Sequence, residues 1–291
     1  MAAGILTVDK PQGMTSHDVV NRIRRISNTR RVGHAGTLDP LATGVLLLCV
    51  GWATRLVEYL IGQEKQYVTT VRLGQTTDSY DAEGEVVAER PFSHLAPTDI
   101  ATALAAFRGP IQQQPPMYSA IKKNGQPLYK LARQGKEVER PSRPVHIYAL
   151  EMTAWNPPYL NLSVTCSSGT YIRSLAHDLG VALGCGGHVT ALRRTAVGDF
   201  TIATAVPLDT LTAENWHDYL LAPETAVTYL PRLDLEEQSA QKLQMGQHIA
   251  RTTDHPTAPF VRIYAPNDQF IGIATAIDES WQPQKIFQGI H

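Results

Sequence analysis

Residues 33–48 read GHAGTLDPLATGVLLL, from Gly33 to Leu48. Four of the first ten are glycine or alanine, and they surround one histidine, His34, and one carboxylate, Asp39. Small residues let a backbone turn sharply or lie close to a ligand. The stretch then runs into VLLLCV, Val45 to Val50. That run is apolar on both faces, so it predicts a strand covered on both sides. Taken alone, Asp39-Pro40 reads as a helix N-cap followed by an N1 proline. Yet Thr43-Gly44 and the strand follow so soon that any helix there is very short. A carboxylate in a loop between rigid elements can also serve as a nucleophile. The stretch by itself admits both readings.

Outward from this loop, elements alternate without a βαβ rhythm. Ile5, Leu6 and Val8 form a strand closed by the turn Lys10-Pro11-Gln12-Gly13. Thr15 and Asp18 have capping-box spacing, and Val19, Val20, Ile23 and Ile26 share one helical face. Asn28 to Pro40 reads as loop and Trp52 to Leu60 as a short helix. QYVTTVRL, Gln66 to Leu73, alternates as a strand. Gly74 to Gly84 is a polar, turn-rich loop. Pro97 to Phe107 is helical, and Asn124-Gly125 signals a hairpin. Leu128 to Gln134 reads as a short helix ended by Gly135. Val145 to Trp155 and Tyr159 to Ser167 pair as strands, Gly169 to Leu183 is a helix, and His188 to Phe200 returns as a strand. The fold class is α+β with a mixed, largely antiparallel sheet. Composition shifts near Pro231, which divides the chain into a large domain, 1–230, and a small β-rich module, 231–291.

Net charge is −1, from 26 basic and 27 acidic side chains, so the total gives no support to a nucleic-acid binder. Its distribution is uneven. Val19 to Leu38 carries Arg22, Arg24, Arg25, Arg30 and Arg31 and no acid. Ser119 to Arg143 carries seven basic residues against Glu137 and Glu139. The three cysteines, Cys49, Cys166 and Cys185, are widely spaced and form no CxxC pair, which argues against a disulfide framework or a zinc knuckle. His17, His34 and Asp39 lack metal-ligand spacing, and no Walker loop, GxGxxG, GxSxG or HExxH is present. No metal and no cofactor are expected. The absence of a long apolar run and of a signal-peptide pattern points to a cytoplasmic protein with no membrane contact.

Two further stretches carry chemistry. Tyr67 opens the long strand, where a tyrosine is core or rim, or a ring that stacks on a base. SSGTYIRSLAHDLG, Ser167 to Gly180, joins a strand to a helix. Arg173 in that helix's first turn opposes the helix dipole and calls for an anionic partner, for which Asp39 is a candidate.

Together these residues resemble the TruB-type tRNA pseudouridine synthases. GHAGTLDPLATGVL matches that family's signature loop as a whole. LTVDKPQGMTSHDVV, KQYVTTVRLGQTTDSYDAEG, MYSAIKKNGQPLYKLARQG, SSGTYIRSLAHDLG and LRRTAVG follow the family in order. The likeness is strong from Gly4 to Gly198 and weak over the last 60 or so residues. It implies the pseudouridine synthase fold with a PUA-like C-terminal RNA-binding module. It implies a monomer that isomerises uridine 55 in the T-arm of tRNA, without cofactor or metal. By the same likeness Asp39 is the essential aspartate, attacking C1′ or assisting a glycal route. His34 holds the RNA loop open. Tyr67 stacks on the uracil and serves as a base. Tyr171 and Leu192 line the base pocket, and Arg173 pairs with Asp39 and depresses its pKa. The basic insertion, about 119–143, closes on the tRNA arm.

The chain departs from the family pattern in its acidic C-terminal segment and at Arg55, where many relatives have lysine. Two other readings compete. One is a non-catalytic tRNA-binding or folding protein on the same scaffold. The other is a retaining glycosidase, which needs two carboxylates facing one bond. Asp78, Asp81 and Glu83 lie in a polar segment and are expected to be solvated.

Overall fold

The structure is a computed structural model that describes residues 2–119, 121–123, 125–132, 134–135 and 138–287. The large domain begins with β1 (Gly4–Lys10), α1 (Ser16–Ile26), β2 (Val32–His34), β3 (Thr43–Val50) and α2 (Val57–Ile61). It continues with β4 (Lys65–Leu73), the pair β5 (Gln75–Thr77) and β6 (Val86–Glu89), α3 (Pro97–Ala105) and β7 (Gly109–Gln113). Within the basic insertion lie β8 (Lys122–Lys123), β9 (Gln126–Pro127) and α4 (Leu128–Ala132). Asn124 of the expected hairpin turn, with Arg133, Lys136 and Glu137, lies outside the described residues. Then come β10 (Arg143–Asn156), β11 (Tyr159–Cys166), α5 (Ile172–Ala182), β12 (Gly187–Val197), β13 (Phe200–Thr201) and β14 (Val206–Pro207).

One mixed sheet runs in the order β14-β1-β3-β12-β4-β11-β10-β7, with β2 and β13 added at the side. Only the pairs β1–β14 and β3–β12 are parallel. Helices α1, α3 and α5 pack on one face over the larger core. The other face of β1 and β3 is covered as well. There Val45, Leu47 and Cys49 join a second core with Tyr264, Phe270 and Phe287 of the C-terminal segment. Leu46, Leu48 and Val50 point to the first core. This double coverage is why VLLLCV shows no polar alternation. β4 strictly alternates buried and open positions, because only one of its faces is packed.

The C-terminal segment contains β15 (Arg232–Asp234), α6 (Glu237–Gln244), β16 (Ile249–Ala250), β17 (Phe260–Ala265), β18 (Gln269–Ile277) and β19 (Ser280–Ile286). Its strands form a separate five-stranded sheet with its own small core. Arg55 fastens it to the large domain, donating to the Ile286 carbonyl at 2.6 Å and lying over the Phe287 ring. That contact uses one carbonyl and one ring face rather than a bidentate fork.

Three local expectations need correction. Gly74 to Gly84 is not loop throughout, since Gln75–Thr77 pairs with Val86–Glu89. Asn28 to Pro40 is not loop throughout, since Val32–His34 pairs with β3 and seats His34 on a strand. The helix expected from Gly169 starts at Ile172, with Tyr171 extended before it. Gly44 shows how tightly the central strands meet. Its φ is +100°, and a Cβ there would lie 2.2 Å from the Arg194 carbonyl oxygen. Gly44→Ala is therefore expected to cost about 3 kcal/mol. In thermal unfolding this reads as a fall of roughly 6–12 °C in Tm, and an unchanged Tm would contradict the close packing of β3 on β12.

Candidate active site

Asp39 caps no helix. Among the described residues its carbonyl accepts only the turn bond from Ala42 N–H at 3.1 Å, and the chain passes through that turn into β3. The N-cap reading is thereby excluded. The loop is held residue by residue. Ser16 at the start of α1 bonds both backbone groups of Leu38: its hydroxyl accepts the N–H at 2.8 Å and donates to the carbonyl at 3.1 Å. Gly13 N–H donates to the Pro40 carbonyl at 2.8 Å. Lys10 is wholly buried and donates to Pro11 at 2.8 Å and Met14 at 2.6 Å, with a longer 3.5 Å contact to Pro40. Asp39 thus sits between two clamped neighbours.

Arg194 holds the other end of the loop. It is 1% exposed and donates to Val45 at 2.7 Å, to Gly36 at 3.1 Å and, more weakly, to Thr37 at 3.5 Å. Across the sheet it lies opposite both Gly44 on β3 and Tyr67 on β4. One buried guanidinium therefore ties the loop, the β3 entrance and the Tyr67 strand together. Among the described residues no carboxylate forms an ion pair with it; backbone carbonyls accept three of its contacts, and Tyr67 is a further side-chain partner.

Arg173 turns from the first turn of α5 towards two acids. Its Nε lies 2.9 Å from Asp39 Oδ2 and its Nη1 lies 3.2 Å from Asp81 Oδ2. The Nε–H is not aligned with its oxygen, so the Asp39 contact is a close ion pair rather than a directed hydrogen bond. Nη1 also donates to Ser79 O at 3.1 Å and Nη2 to Tyr118 O at 2.7 Å. The acid partner that the dipole argument demands is therefore present, and a second acid stands beside it.

Asp81 corrects an expectation. It is 3% exposed rather than solvated. Its Oδ1 accepts from Ser79 Oγ at 2.6 Å and from Glu83 N–H at 3.1 Å. Both carboxylates engage one arginine, and Asp81 does not line the cavity in front of Asp39. They do not face one bond across a gap, so the glycosidase geometry is absent.

That cavity, about 220 Å³, is lined by Asp39, Tyr67, Tyr171, Arg173, Leu192, Arg194 and the turn Ser167 to Thr170. It is smaller than the roughly 300 Å³ at which small-molecule pockets usually begin, a size suited to one planar base. Five of the six expected site residues meet there. His34 does not line it. Its Nδ1 is buried without a hydrogen-bond partner among the described residues, and burial pushes its pKa down.

Burial raises the Asp39 carboxyl above the usual aspartate value; Arg173 opposes this and Asp81 reinforces it. The side chain remains 35% open through the cavity mouth, so solvent moderates the effect. The depressed pKa expected from the Arg173 pair is thus reversed, because desolvation outweighs the ion pair. Burial also raises the Tyr67 phenol, with Arg194 pulling the other way, and raises the Tyr171 phenol. Burial pushes the Lys10 ammonium down to about 8, with Asp39 working against the shift.

Lys10, Asp81 and Arg194 were not among the residues expected at the site. A signal existed for Arg194: on β12 it shares strand parity with the inward Leu192, whereas Arg193 points outward to Asp9 at 2.7 Å. Lys10 ends the buried strand β1 at the turn Pro11-Gln12-Gly13, where a lysine can reach over the turn's carbonyls.

Residues 24–172 match the TruB family pseudouridylate synthase N terminal domain. Residues 173–233 match the tRNA pseudouridylate synthase B C-terminal domain, and residues 231–287 match the C-terminal domain of pseudouridine synthase II TruB. Proteins named tRNA pseudouridine synthase B resemble the chain throughout. That of Haemophilus influenzae strain 86-028NP is 43% identical over 97% of this chain and 94% of its own length. That of Pseudomonas aeruginosa UCBPP-PA14 is 45% identical over 95% and 93%. That of Ralstonia pickettii 12J is 47% identical over 94% and 88%. A solved Cbf5-Nop10-Gar1 complex holds a chain of similar fold, with TM-score 0.74 and 27% identity over 98% of this chain and 85% of that one. A second solved structure, an H/ACA RNP bound to a substrate RNA containing 2′-deoxyuridine, matches with TM-score 0.74 and 25% identity over 98% and 85%. With three TruB models matched in order over residues 24–287 and relatives 43–47% identical over 94–97% of its length, the chain belongs to the TruB family of pseudouridylate synthases.

Proposed function

We infer that the protein isomerises uridine to pseudouridine in tRNA, at position 55 of the T-arm. The observation that carries this reading is the Asp39–Arg173 pair at 2.9 Å on the wall of a base-sized cavity that also holds Tyr67, Tyr171 and Leu192. Its support from relatives is identity of 43–47%, over 94–97% of this chain, to proteins named tRNA pseudouridine synthase B.

The reaction breaks C1′–N1, rotates the uracil and forms C1′–C5. C5 loses its proton to solvent and N1 gains one, so atoms and electrons balance without a redox partner. The target base must first leave the stack. Tyr67 and Tyr171 supply ring faces for it and Leu192 an apolar edge. Asp39 enters as a carboxylate, either bonding to C1′ or taking the 2′ proton on a glycal route. Arg173 keeps its oxygen oriented and offsets its burial. Because burial raises the Tyr67 phenol, that group enters protonated, as a stacking wall and proton donor rather than a ready base.

Residues 1–230 serve as the catalytic domain and 231–291 as a PUA-like RNA-binding module. The exposed Arg25, Arg30 and Arg31 and the basic insertion give the RNA backbone cations to meet. His34 lies on the strand leading into the loop, and the family likeness supports reading it as the residue that holds the RNA loop open. The protein acts as a cytoplasmic monomer. Among the described residues, no helix is long and apolar enough to cross a membrane.

The test uses an unmodified tRNA transcript with tritium at uridine C5. The wild-type protein releases tritium to water, and a transcript with cytidine at position 55 abolishes the release. Release that persists with that transcript overturns the position. Binding without any release overturns the catalytic reading and favours a tRNA-binding protein on this scaffold.

A further inference from the structure

β7 ends at Gln113, the middle residue of the run Gln112-Gln113-Gln114. Of these only Gln113 is buried, 1% exposed. Its carboxamide grips both backbone groups of one residue: Oε1 accepts the Tyr171 N–H at 2.7 Å, and Nε2 donates to the Tyr171 carbonyl at 3.0 Å. A primary amide is the neutral side chain that accepts and donates side by side in this way. The pair resembles one rung of a sheet made by a side chain. Tyr171 is held extended there, φ −101° and ψ 110°, immediately before α5. The neighbouring contacts run in the same direction. Ser174 Oγ donates to Gln114 O at 2.8 Å, and Arg173 Nη2 donates to Tyr118 O at 2.7 Å.

We propose that Gln113 is a positioning residue for the pocket: by clamping the Tyr171 backbone it aims the phenol into the base cavity and ties that wall to the root of the basic insertion. The proposal rests on the reading that this cavity takes the uracil. It adds a residue that never touches the substrate and acts through Tyr171.

Two variants test it, assayed by tritium release under single-turnover conditions and by tRNA binding. Gln113→Met keeps the length and loses both bonds. Its rate constant is expected to fall at least about ten-fold, since small misplacements in a site are costly, while tRNA Kd stays within about two-fold. Gln113→Glu keeps both bonds only when protonated, because the neutral acid donates to the Tyr171 carbonyl and the carboxylate faces it. The charges around that position are Arg143, opposite Gln113 across β7–β10, and Arg173, Asp39 and Asp81 beyond Tyr171. Burial draws the new carboxyl upward and Arg143 downward, so the variant is scanned from about pH 5.5 to about pH 9 as a ratio to wild type.

A ratio that falls as pH rises, with tRNA Kd unchanged, supports the proposal. So does a ratio low throughout with Kd unchanged. A ratio near one at every pH overturns it, as does a loss of affinity equal to the loss of rate. Gln113→Glu at acid pH retains both bonds, so it stays informative if Gln113→Met melts below the assay temperature. Absence of wild-type release would instead defeat the functional reading, which separates the two failures.

Discussion

Asp39→Asn is expected to abolish tritium release while leaving tRNA binding and the fold intact. Asparagine keeps the size of the side chain and one acceptor oxygen. It removes the charge and the nucleophilic oxygen that both routes require. The expected loss is at least about 10⁴-fold, equivalent to about 5.4 kcal/mol of transition-state stabilisation. Stability should move the other way. The Asp39 pKa in the folded protein lies above its unfolded value, so the folded state binds the proton more tightly. Ionisation of Asp39 therefore costs stability as pH rises from the unfolded to the folded pKa, and above that window the cost is complete. A neutral amide avoids the cost. Arg173 retains Asp81 at 3.2 Å, Ser79 O at 3.1 Å and Tyr118 O at 2.7 Å. Asp39→Asn should thus melt at the wild-type temperature or above at neutral pH. Release at more than about a hundredth of the wild-type rate would remove Asp39 from the bond-making step.

This division between chemistry and stability explains what could be read from the sequence. GHAGTLDPLATGVLLL announces a tight loop and a doubly covered strand, and both are present. Arg173 announces a missing anion, because a cation in a first helical turn is electrostatically misplaced until it finds one. Residues that act by reaching across the fold leave no such local mark. Arg194 contacts carbonyls 149 and 158 positions away, and nothing near it in sequence differs from what surrounds Arg193. Strand parity alone separates the two. Asp81 sits in a run of polar turn residues that composition assigns to solvent, and its buried cation partner, Arg173, lies on another element. Gln113 is one of three identical letters. The direction of the Asp39 shift was also out of reach, since it depends on how far desolvation outweighs one ion pair. A sequence supplies the pair but not the depth.

Arg173→Lys should produce the second large loss, and its pH dependence identifies the cause. The guanidinium meets four oxygen partners through three nitrogens: the carboxylates of Asp39 and Asp81 as ion pairs, and Ser79 O and Tyr118 O as hydrogen-bond acceptors. An ammonium on a shorter fork cannot reach all four. The cation that offsets the burial of Asp39 is weakened, while the desolvation and the repulsion from Asp81 remain. The Asp39 pKa in the variant therefore rises further. Activity requires the carboxylate, so it falls as pH drops through that pKa, and a higher pKa moves the fall to higher pH. The acid limb of the single-turnover rate should shift upward, with a loss of about 10²–10³-fold at neutral pH. An acid limb that stays in place or moves downward would show that Arg173 does not govern the ionisation of Asp39. Arg173→Met goes further, because it strands Asp81 as a buried carboxylate with no cation, a defect worth about 3–5 kcal/mol. Adding Asp81→Asn to Arg173→Met should then recover stability without recovering activity. That outcome assigns Asp81 to holding Arg173 in place and Arg173 to holding Asp39 ready, a chain of dependence that ends at one oxygen atom.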